Sequence, residues 1–326
     1  MKPDKGARPV AVILDPIHPA GIERLGRAFD LILPDASPDD PRHGETSVAV
    51  VRTFPITRKW IAARPKLKLV AKHGSGVDNI DIPGATERGV LVANTPGGTN
   101  STAVAEGAVA LMLAVLRRVR DMDSLMRDDR FDQRWSIELG DLTGGSLGLL
   151  GFGQIAKQVA KICGAGFGMD VSAYDPFVTA EAMKALGVRK VDDLSELMRN
   201  DVISVHVPFS EKTRHIVGEK ELAAMSASSI IVNTARGGLI DEAALARALT
   251  EGRIRGAGID VFETEPPPQD NPLLALPNAV LSPHVAGVTS GSMKRMALAV
   301  AEVVETVLAG NRPATLLNRE ALGETR

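Results

Sequence analysis

Short apolar runs recur along this chain, separated by stretches in which apolar residues return every three or four positions. Residues 10–14, Val-Ala-Val-Ile-Leu, are bounded by polar residues and Pro16 and predict a buried strand. Residues 21–29 instead have helical spacing, with Ile22, Leu25 and Phe29 on one side. Further strand-sized runs lie at 48–51, 67–71 and 90–93, with helix-compatible segments between them. Alternation at this pace predicts parallel βαβ units. Residues 94–101, Asn-Thr-Pro-Gly-Gly-Thr-Asn-Ser, are turn formers suited to a hinge, and 284–291 offers a second. The segment 102–119 is apolar almost all round, which predicts a buried helix, and Arg117, Arg118 and Arg120 complement the dipole at its end. Residues 121–141 are charge-rich and carry Phe131 and Trp135; they read either as a solvated helix with a loop or as an arm reaching a partner subunit.

A second strand–helix series follows, with strands expected at 147–150, 171–174, 202–207, 230–233, 256–261 and 280–281. The Pro-rich stretch 265–277 is a loop. A final helix over 293–308 is stopped by Ala309-Gly-Asn-Arg-Pro313 and is expected to return to the first domain. The organisation expected is therefore a discontinuous substrate domain, 1–100 plus 292–326, and a dinucleotide-binding domain, 101–291.

Bulk properties narrow the class. At 326 residues the chain exceeds what one hydrophobic core serves, ~250–300 residues. Aromatics are only 3% of the chain, so its cores must rest on Val, Leu, Ile, Ala and Met. A formal net charge of -2 argues against bulk electrostatic binding to nucleic acid. Cys163 is the single cysteine, which excludes an intrachain disulfide and a multi-cysteine metal site; no metal is expected. The N-terminus has no long apolar segment, and 103–116 falls short of the ~18–20 residues of a membrane span and contains Glu106. A soluble, cytoplasmic protein without membrane or nucleic-acid partners is expected.

Leu147-Gly-Leu-Leu-Gly151-Phe-Gly153-Gln154-Ile155-Ala156 follows an expected strand and leads into a helix. Gly151 permits the tight turn, Gly153 lets backbone approach a pyrophosphate, and Ala156 is small enough for close helix–strand packing. Free N–H groups at the helix start, from Gln154 and Ile155 onward, would hold phosphates. Asp175, after the next strand, lies where a carboxylate accepts from the adenosine hydroxyls and repels a 2′-phosphate, so NAD is the expected cofactor. The alternative is that Asp175 merely caps the turn before Pro176. A methyltransferase shares the glycine turn and the acidic ribose ligand, so this region alone does not name the chemistry.

Three later segments do. Asn233-Thr-Ala-Arg236-Gly-Gly-Leu-Ile-Asp241, Gly258-Ile-Asp260-Val-Phe-Glu-Thr-Glu265-Pro266 and Ser282-Pro-His284-Val-Ala-Gly287 each lie just past an expected strand end, where open parallel sheets bind ligands. With the glycine turn, and with Lys72-His-Gly-Ser-Gly-Val-Asp-Asn-Ile-Asp81, Asn100-Ser-Thr-Ala-Val-Ala-Glu106 and Val205-His-Val-Pro208, the chain resembles the D-isomer-specific 2-hydroxyacid dehydrogenases over nearly its whole length. The resemblance implies two Rossmann-like or flavodoxin-like doubly wound parallel-sheet domains, an active site in the cleft between them that closes on binding, and a homodimer. It implies that His284 is the general acid/base, Glu265 its orienting carboxylate, and Arg236 the grip on the substrate carboxylate. Arg236 also suits this task by its rigid fork of donors. Ser75 and Gly76 would present N–H groups to the substrate, helped by Lys72. Thr234 and Asp260 would face the nicotinamide end of NAD, Val207 and Pro208 the adenine side, Ala235 and Gly287 would also bind the cofactor, and Thr102 would start the interdomain helix near it. His206 is expected to be structural, and His73 has no assigned role.

Arg52, after the strand at 48–51, corresponds to a basic position in phosphoglycerate dehydrogenases, and with Lys72 it would suit a second anionic group. The sequence ends at Arg326 without the additional C-terminal regulatory domain of many phosphoglycerate dehydrogenases, so feedback control by that route is not expected. Glyoxylate, hydroxypyruvate and other 2-keto acids stay open. Formate dehydrogenases share the architecture but carry glutamine where this chain has Glu265, which counts against formate. A different class of reading is a non-catalytic, NAD-responsive binding scaffold, since some relatives act so.

Overall fold

Runs of Val, Ile, Leu and Ala without alternation demand burial on both faces, and parallel strands covered by helices satisfy that demand. The structure, a computed structural model, describes residues 8–95 and 99–323. Residues 96–98 of the expected hinge at 94–101 lie outside the described residues. The chain divides into two units: the described residues up to Asn100 together with those from Thr289 onward, and Ser101–Val288. The return to the first unit thus falls three residues ahead of the expected 292.

In the first unit the strands are β1 (Val10–Ile13), β2 (Asp30–Ile32), β3 (Thr46–Val51), β4 (Leu69–Lys72) and β5 (Leu91–Asn94). They pair in parallel in the order β2-β1-β3-β4-β5. The helices between them are α1 (Pro19–Gly26), α2 (Arg58–Ala62) and α3 (Ile82–Thr86). α1 begins earlier than its apolar spacing suggests, because Pro19 presets the first turn and His18 Nδ1 accepts from Ala20 N–H. The C-terminal helix Ser290–Leu308 begins three residues before the expected Met293; Thr289 caps it, accepting from Ser292 N–H. It packs on α1, where a Cβ on Gly21 would lie 2.8 Å from Ala297 Cβ.

The second unit opens with α4 (Ser101–Leu116) and α5 (Val119–Arg127). The single helix expected over 102–119 is broken at Arg118, whose φ of 48° is left-handed. Residues 121–141 form the rest of α5 and a short 3-10 turn at Phe131–Ser136, with Trp135 83% exposed. There follow β6 (Ser146–Leu150), α6 (Gln154–Phe167), β7 (Asp170–Tyr174), α7 (Ala180–Lys184), β8 (Arg189–Lys190), α8 (Leu194–Leu197), β9 (Val202–Val205), α9 (Glu219–Ala223), β10 (Ile230–Asn233), α10 (Glu242–Thr250), β11 (Gly256–Ile259) and β12 (Ala279–Leu281). With the C-terminal helix as α11, the elements are complete. The seven strands pair in parallel in the order β12-β11-β10-β9-β6-β7-β8. Chain direction across this sheet reverses between β6 and β9, a switch point of the kind where such sheets bind ligands.

Helix α4 lies on β11 because the strand is thinned. Gly256 and Gly258 point to one face, two residues apart, and Val115 and Leu111, four apart on α4, sit over them. A Cβ at either glycine would come within 2.7 or 2.9 Å of those side chains. Among the described residues no helix is long and apolar enough to cross a membrane.

Candidate active site

The site in the second unit starts at the switch point. Gly151, at the end of β6, has φ 92°, and its N–H donates to Tyr174 O at 2.8 Å. A Cβ there would lie 2.9 Å from the backbone of His206 and from Val207 Cγ1, so only glycine lets β6 and β9 deliver their loops this close together. Gly153 is the N-cap of α6 and offers no side-chain cap, and a Cβ on it would meet nothing within 4 Å. The first N–H groups of α6, from exposed Gln154 and half-buried Ile155, therefore open onto free space at the positive end of a 14-residue helix. Ala156 is fully buried beneath them.

Asp175 braces this turn from the end of β7. One carboxylate oxygen accepts from Phe152 N–H and the other from Phe177 N–H, both at 2.9 Å. It thus does cap the turn around Pro176. A carboxylate has about four acceptor positions, so two stay available for sugar hydroxyls. Val207 is half-buried and Pro208 exposed, and both follow β9 rather than belonging to it, since the strand stops at Val205. Past β10, buried Thr234 has an Oγ1 with no hydrogen-bond partner among the described residues, an orphaned group that a ligand amide would satisfy. Ala235 N–H is turned back onto Asn233 Oδ1. Thr102 is exposed in the first turn of α4, and Gly287 is half-buried beyond β12. An uncapped helix start, a glycine turn, a braced carboxylate and an orphaned hydroxyl along one set of strand ends fit a dinucleotide.

The reactive groups gather beyond β10, β11 and β12. His284 Nδ1 lies 2.8 Å from Glu265 Oε2, with both side chains partly exposed. His284 Nε2 makes no hydrogen bond among the described residues, so the ring presents one nitrogen outward while the other is held. Glu265 Oε1 accepts from Phe262 N–H at 3.1 Å. Burial raises the Glu265 carboxyl, but the hydrogen bonds from His284 and Phe262 and the charges of His284 and Arg236 outweigh it and hold it below its ordinary value. Arg236 is therefore within electrostatic reach of Glu265. Its Nη1 donates to Ala235 O, and Asn233 Nδ2 fixes its carbonyl at 2.8 Å.

Asp260 is the anchor of the histidine loop. Fully buried, its Oδ1 accepts from Ser282 Oγ and Val285 N–H and its Oδ2 from Ala286 N–H, while its carbonyl accepts His284 N–H at 2.7 Å. Three of its four acceptor positions are thus used inside the protein, leaving one for a carboxamide. These bonds hold His284 at φ 55°, a left-handed backbone that a non-glycine residue keeps only when its surroundings impose it. The loop also rests on α4: a Cβ on Gly107 would lie 2.8 Å from Ala286 Cβ. The sequence names Ser282 only as the start of the histidine segment and does not mark Gly107, because each matters through a partner that folding brings to it.

In the first unit, Arg52, Ser75 and Gly76 lie past the carboxyl ends of β3 and β4. Arg52 N–H is held by buried Asp15, which also accepts from Thr53 Oγ1 and Phe54 N–H, and the Arg52 guanidinium makes no hydrogen bond among the described residues. Ser75 is exposed, its carbonyl held by Asn94 Nδ2. Lys72 differs from expectation in its surroundings. It is 7% exposed, and its ammonium donates to Arg52 O and Asn79 Oδ1, joining the loops after β3 and β4. Beside it, burial and the Arg52 charge push the His73 imidazole down to about 4. Burial pushes the His206 imidazole down to about 4 as well, and its Nε2 lies 2.8 Å from Ser204 Oγ. Among the described residues no cluster of His, Cys, Asp or Glu could hold a metal ion.

A parallel α/β unit with a glycine turn at its switch point and a His–Glu pair past its strand ends defines a nucleotide-binding dehydrogenase class of fold. The family model of the D-isomer specific 2-hydroxyacid dehydrogenase, NAD binding domain, matches residues 109–286. The chain belongs to the D-isomer specific 2-hydroxyacid dehydrogenase family. It is 39% identical over 325 residues to D-3-phosphoglycerate dehydrogenase of Methanocaldococcus jannaschii, covering 97% of this chain but 61% of that protein. It is 36% identical over 333 residues to glyoxylate reductase of Aeropyrum pernix, covering 97% of each. Among solved structures, a glyoxylate reductase from Paecilomyes thermophila matches with a TM-score of 0.84 at 30% identity, covering 97% of this chain and 99% of that one. An NADPH-dependent glyoxylate/hydroxypyruvate reductase from Sinorhizobium meliloti, in complex with NADP and malonate, matches with a TM-score of 0.84 at 29% identity, covering 95% and 97%.

Proposed function

We propose that this protein is an NAD-dependent oxidoreductase that moves a hydride between nicotinamide and C2 of a small D-2-hydroxy acid or 2-keto acid, in the manner of a phosphoglycerate dehydrogenase. The observation that carries the reading is His284, bonded to Glu265 through Nδ1 and unbonded at Nε2. With the carboxylate at Nδ1, Nε2 is the atom that gives its proton to the C2 oxygen in reduction and takes the hydroxyl proton in oxidation. Glu265 fixes the ring and stabilises its cationic form. Arg236 grips the substrate carboxylate with two parallel donors and polarises the C2 carbonyl. Ser75 and Gly76 offer backbone N–H groups to the same carboxylate, with Arg52 and Lys72 on the substrate side.

The cofactor, when bound, supplies or accepts the hydride. Gly151, Gly153, Gln154 and Ile155 hold its pyrophosphate, Asp175 its adenosine ribose, and Val207 and Pro208 flank the adenine. Thr234, Ala235, Asp260, Gly287 and Thr102 serve the nicotinamide side, where the orphaned Thr234 Oγ1 supports the assignment. Asp175, with no Arg among Pro176, Phe177 and Val178 after it, supports NAD over NADP. We further propose a cytoplasmic homodimer, which sedimentation of the purified protein tests.

A second reading, a glyoxylate or hydroxypyruvate reductase, gains from Lys72. Its ammonium serves two loop acceptors, which weakens the case for a second anionic group on the substrate. One experiment separates these: NADH and NADPH oxidation with 3-phosphohydroxypyruvate, glyoxylate and hydroxypyruvate. Turnover preferring the phosphorylated acid supports the first reading, and preference for the short acids the second. Cofactor binding without turnover of any 2-keto acid refutes both and leaves a binding scaffold.

A further inference from the structure

Glu265 sits in a turn, and something must hold that turn against the sheet. On one side is Gly237, the residue after Arg236, where a Cβ would run into the Phe262–Glu263 peptide. The absence of that Cβ lets the loops carrying Arg236 and Glu265 touch backbone to backbone. On the other side is a pair of carboxylates with no part in the chemistry above. Glu242 N–H, at the first position of α10, donates to Glu263 Oε1 at 3.1 Å, and Glu263 N–H donates in return to Glu242 Oε1. Glu242 Oε2 accepts from Asn271 Nδ2 at 2.6 Å, which ties in the middle of the Pro-rich loop. Each glutamate thus satisfies the other's backbone N–H across 21 residues of chain.

Two like charges side by side repel, and the neighbouring groups offset this. Both lie at the N-terminal end of α10, where the dipole favours negative charge and Asp241 already accepts from Ala244 N–H. From the loop before α9, His215 Nε2 lies 3.1 Å from Glu263 Oε1, and the Arg214 charge acts on Glu263 as well. The groups facing the turn are therefore Glu242 and Asp241 from α10, His215 and Arg214 from the α9 side, Asn271 from the Pro-rich loop, and Arg236 and His284 on the reactive side.

We propose that Glu242 and Glu263 form a reciprocal clasp that positions Glu265 against His284, so that Glu263 and Glu242 are positioning residues for the proton transfer. Glu263 lies two residues before Glu265, and Phe262, whose N–H holds Glu265 Oε1, lies immediately before Glu263. Opening the clasp frees the turn that presents both the carboxylate and its backbone donor. The inference rests on the reading of Glu265 and His284 given above.

The test uses full-length Glu263→Ala and Glu263→Gln proteins beside the wild type. Two quantities are read: NADH-dependent reduction of glyoxylate, and the pH titration of the Glu265 carboxyl carbon in 13C-glutamate-labelled protein, assigned by its loss in Glu265→Gln. Glu263→Ala is expected to lower kcat ~10- to 100-fold, the scale of a misplaced catalytic group, with NADH affinity unchanged. It is also expected to move the Glu265 midpoint up toward the ordinary carboxylate value, and Glu263→Gln, which keeps the acceptor oxygen, should restore both. Should Glu263→Ala not fold, Glu242→Ala cuts the other arm and carries the same two expectations. An unmoved Glu265 titration overturns the clasp, whether kcat holds or falls. The titration needs no turnover, so a wild type that reduces no 2-keto acid sinks the enzymatic reading while the clasp is still judged.

Discussion

His284 and His206 each follow a parallel strand of the same sheet, one past β12 and the other past β9, yet they are built for opposite ends. His206 is half-buried, bonded to a neutral serine hydroxyl, and driven to about 4 by burial, so it is uncharged near neutrality. His284 is partly exposed, has an ionised carboxylate on one nitrogen and leaves the other unbonded. Identity of residue and topological place do not make a general acid; a partner charge and an open nitrogen do. The first environment suits a packing group; the second is the one that fits the proton carrier proposed above.

The largest expected effect breaks the comparison at its active member. His284→Ala should cut kcat ~10²- to 10⁴-fold while leaving NADH affinity, read by fluorescence titration, intact. A kcat near wild type would move the acid/base role elsewhere. Next, Arg236→Lys should raise KM for the keto acid ~10-fold or more, since a point charge replaces a two-donor fork worth about 1.5–3 kcal/mol per charged hydrogen bond. Unchanged steady-state kinetics would remove Arg236 from the substrate. A smaller change is expected from Asp175→Ala, which should raise the kcat/KM ratio of NADPH to NADH; a constant ratio would leave Asp175 as a turn brace only.

The smallest effect falls on the passive member. In His206 and His73 the folded value is depressed from 6.5 to about 4, so between those values the unfolded chain binds protons that the native state refuses. Stability should be whole above that window and fall as pH drops through it, seen as a declining Tm. His206→Asn should flatten part of that decline with kcat little altered, and an undiminished slope would show that His206 does not contribute. Glu265 has the same sign in a lower window: its folded carboxyl lies below the ordinary value, so its contribution is whole above the ordinary carboxylate range and is lost as pH falls through the lowered value.

Much of this was legible in the chain because parallel strands buried on both faces leave uninterrupted apolar runs. β10 spans Ile230–Asn233, the residues its pattern predicts. β2 and β8 have three and two residues and carry Asp, Arg and Lys, so edge strands this short leave no run to read. The break in the helix at 102–119 depends on one left-handed residue, Arg118, which has no local signature. The His284–Glu265 pair came from motif context, and its geometry is that of the residues named. Lys72 was legible as a cation near a strand end but not as a buried one, because its acceptors lie 7 and 20 residues away. The same holds for Asp260, whose three intramolecular donors lie 22 to 26 residues on.

The missing methyl at position 107 has a practical meaning for anyone redesigning this protein. Because Ala286 rests on Gly107, bulk added to that buried helix must be absorbed by the peptide that carries the imidazole. Position 107 is thus a remote lever on the loop: alanine there would press on Ala286, two residues from His284, without replacing any side chain assigned to the proposed site.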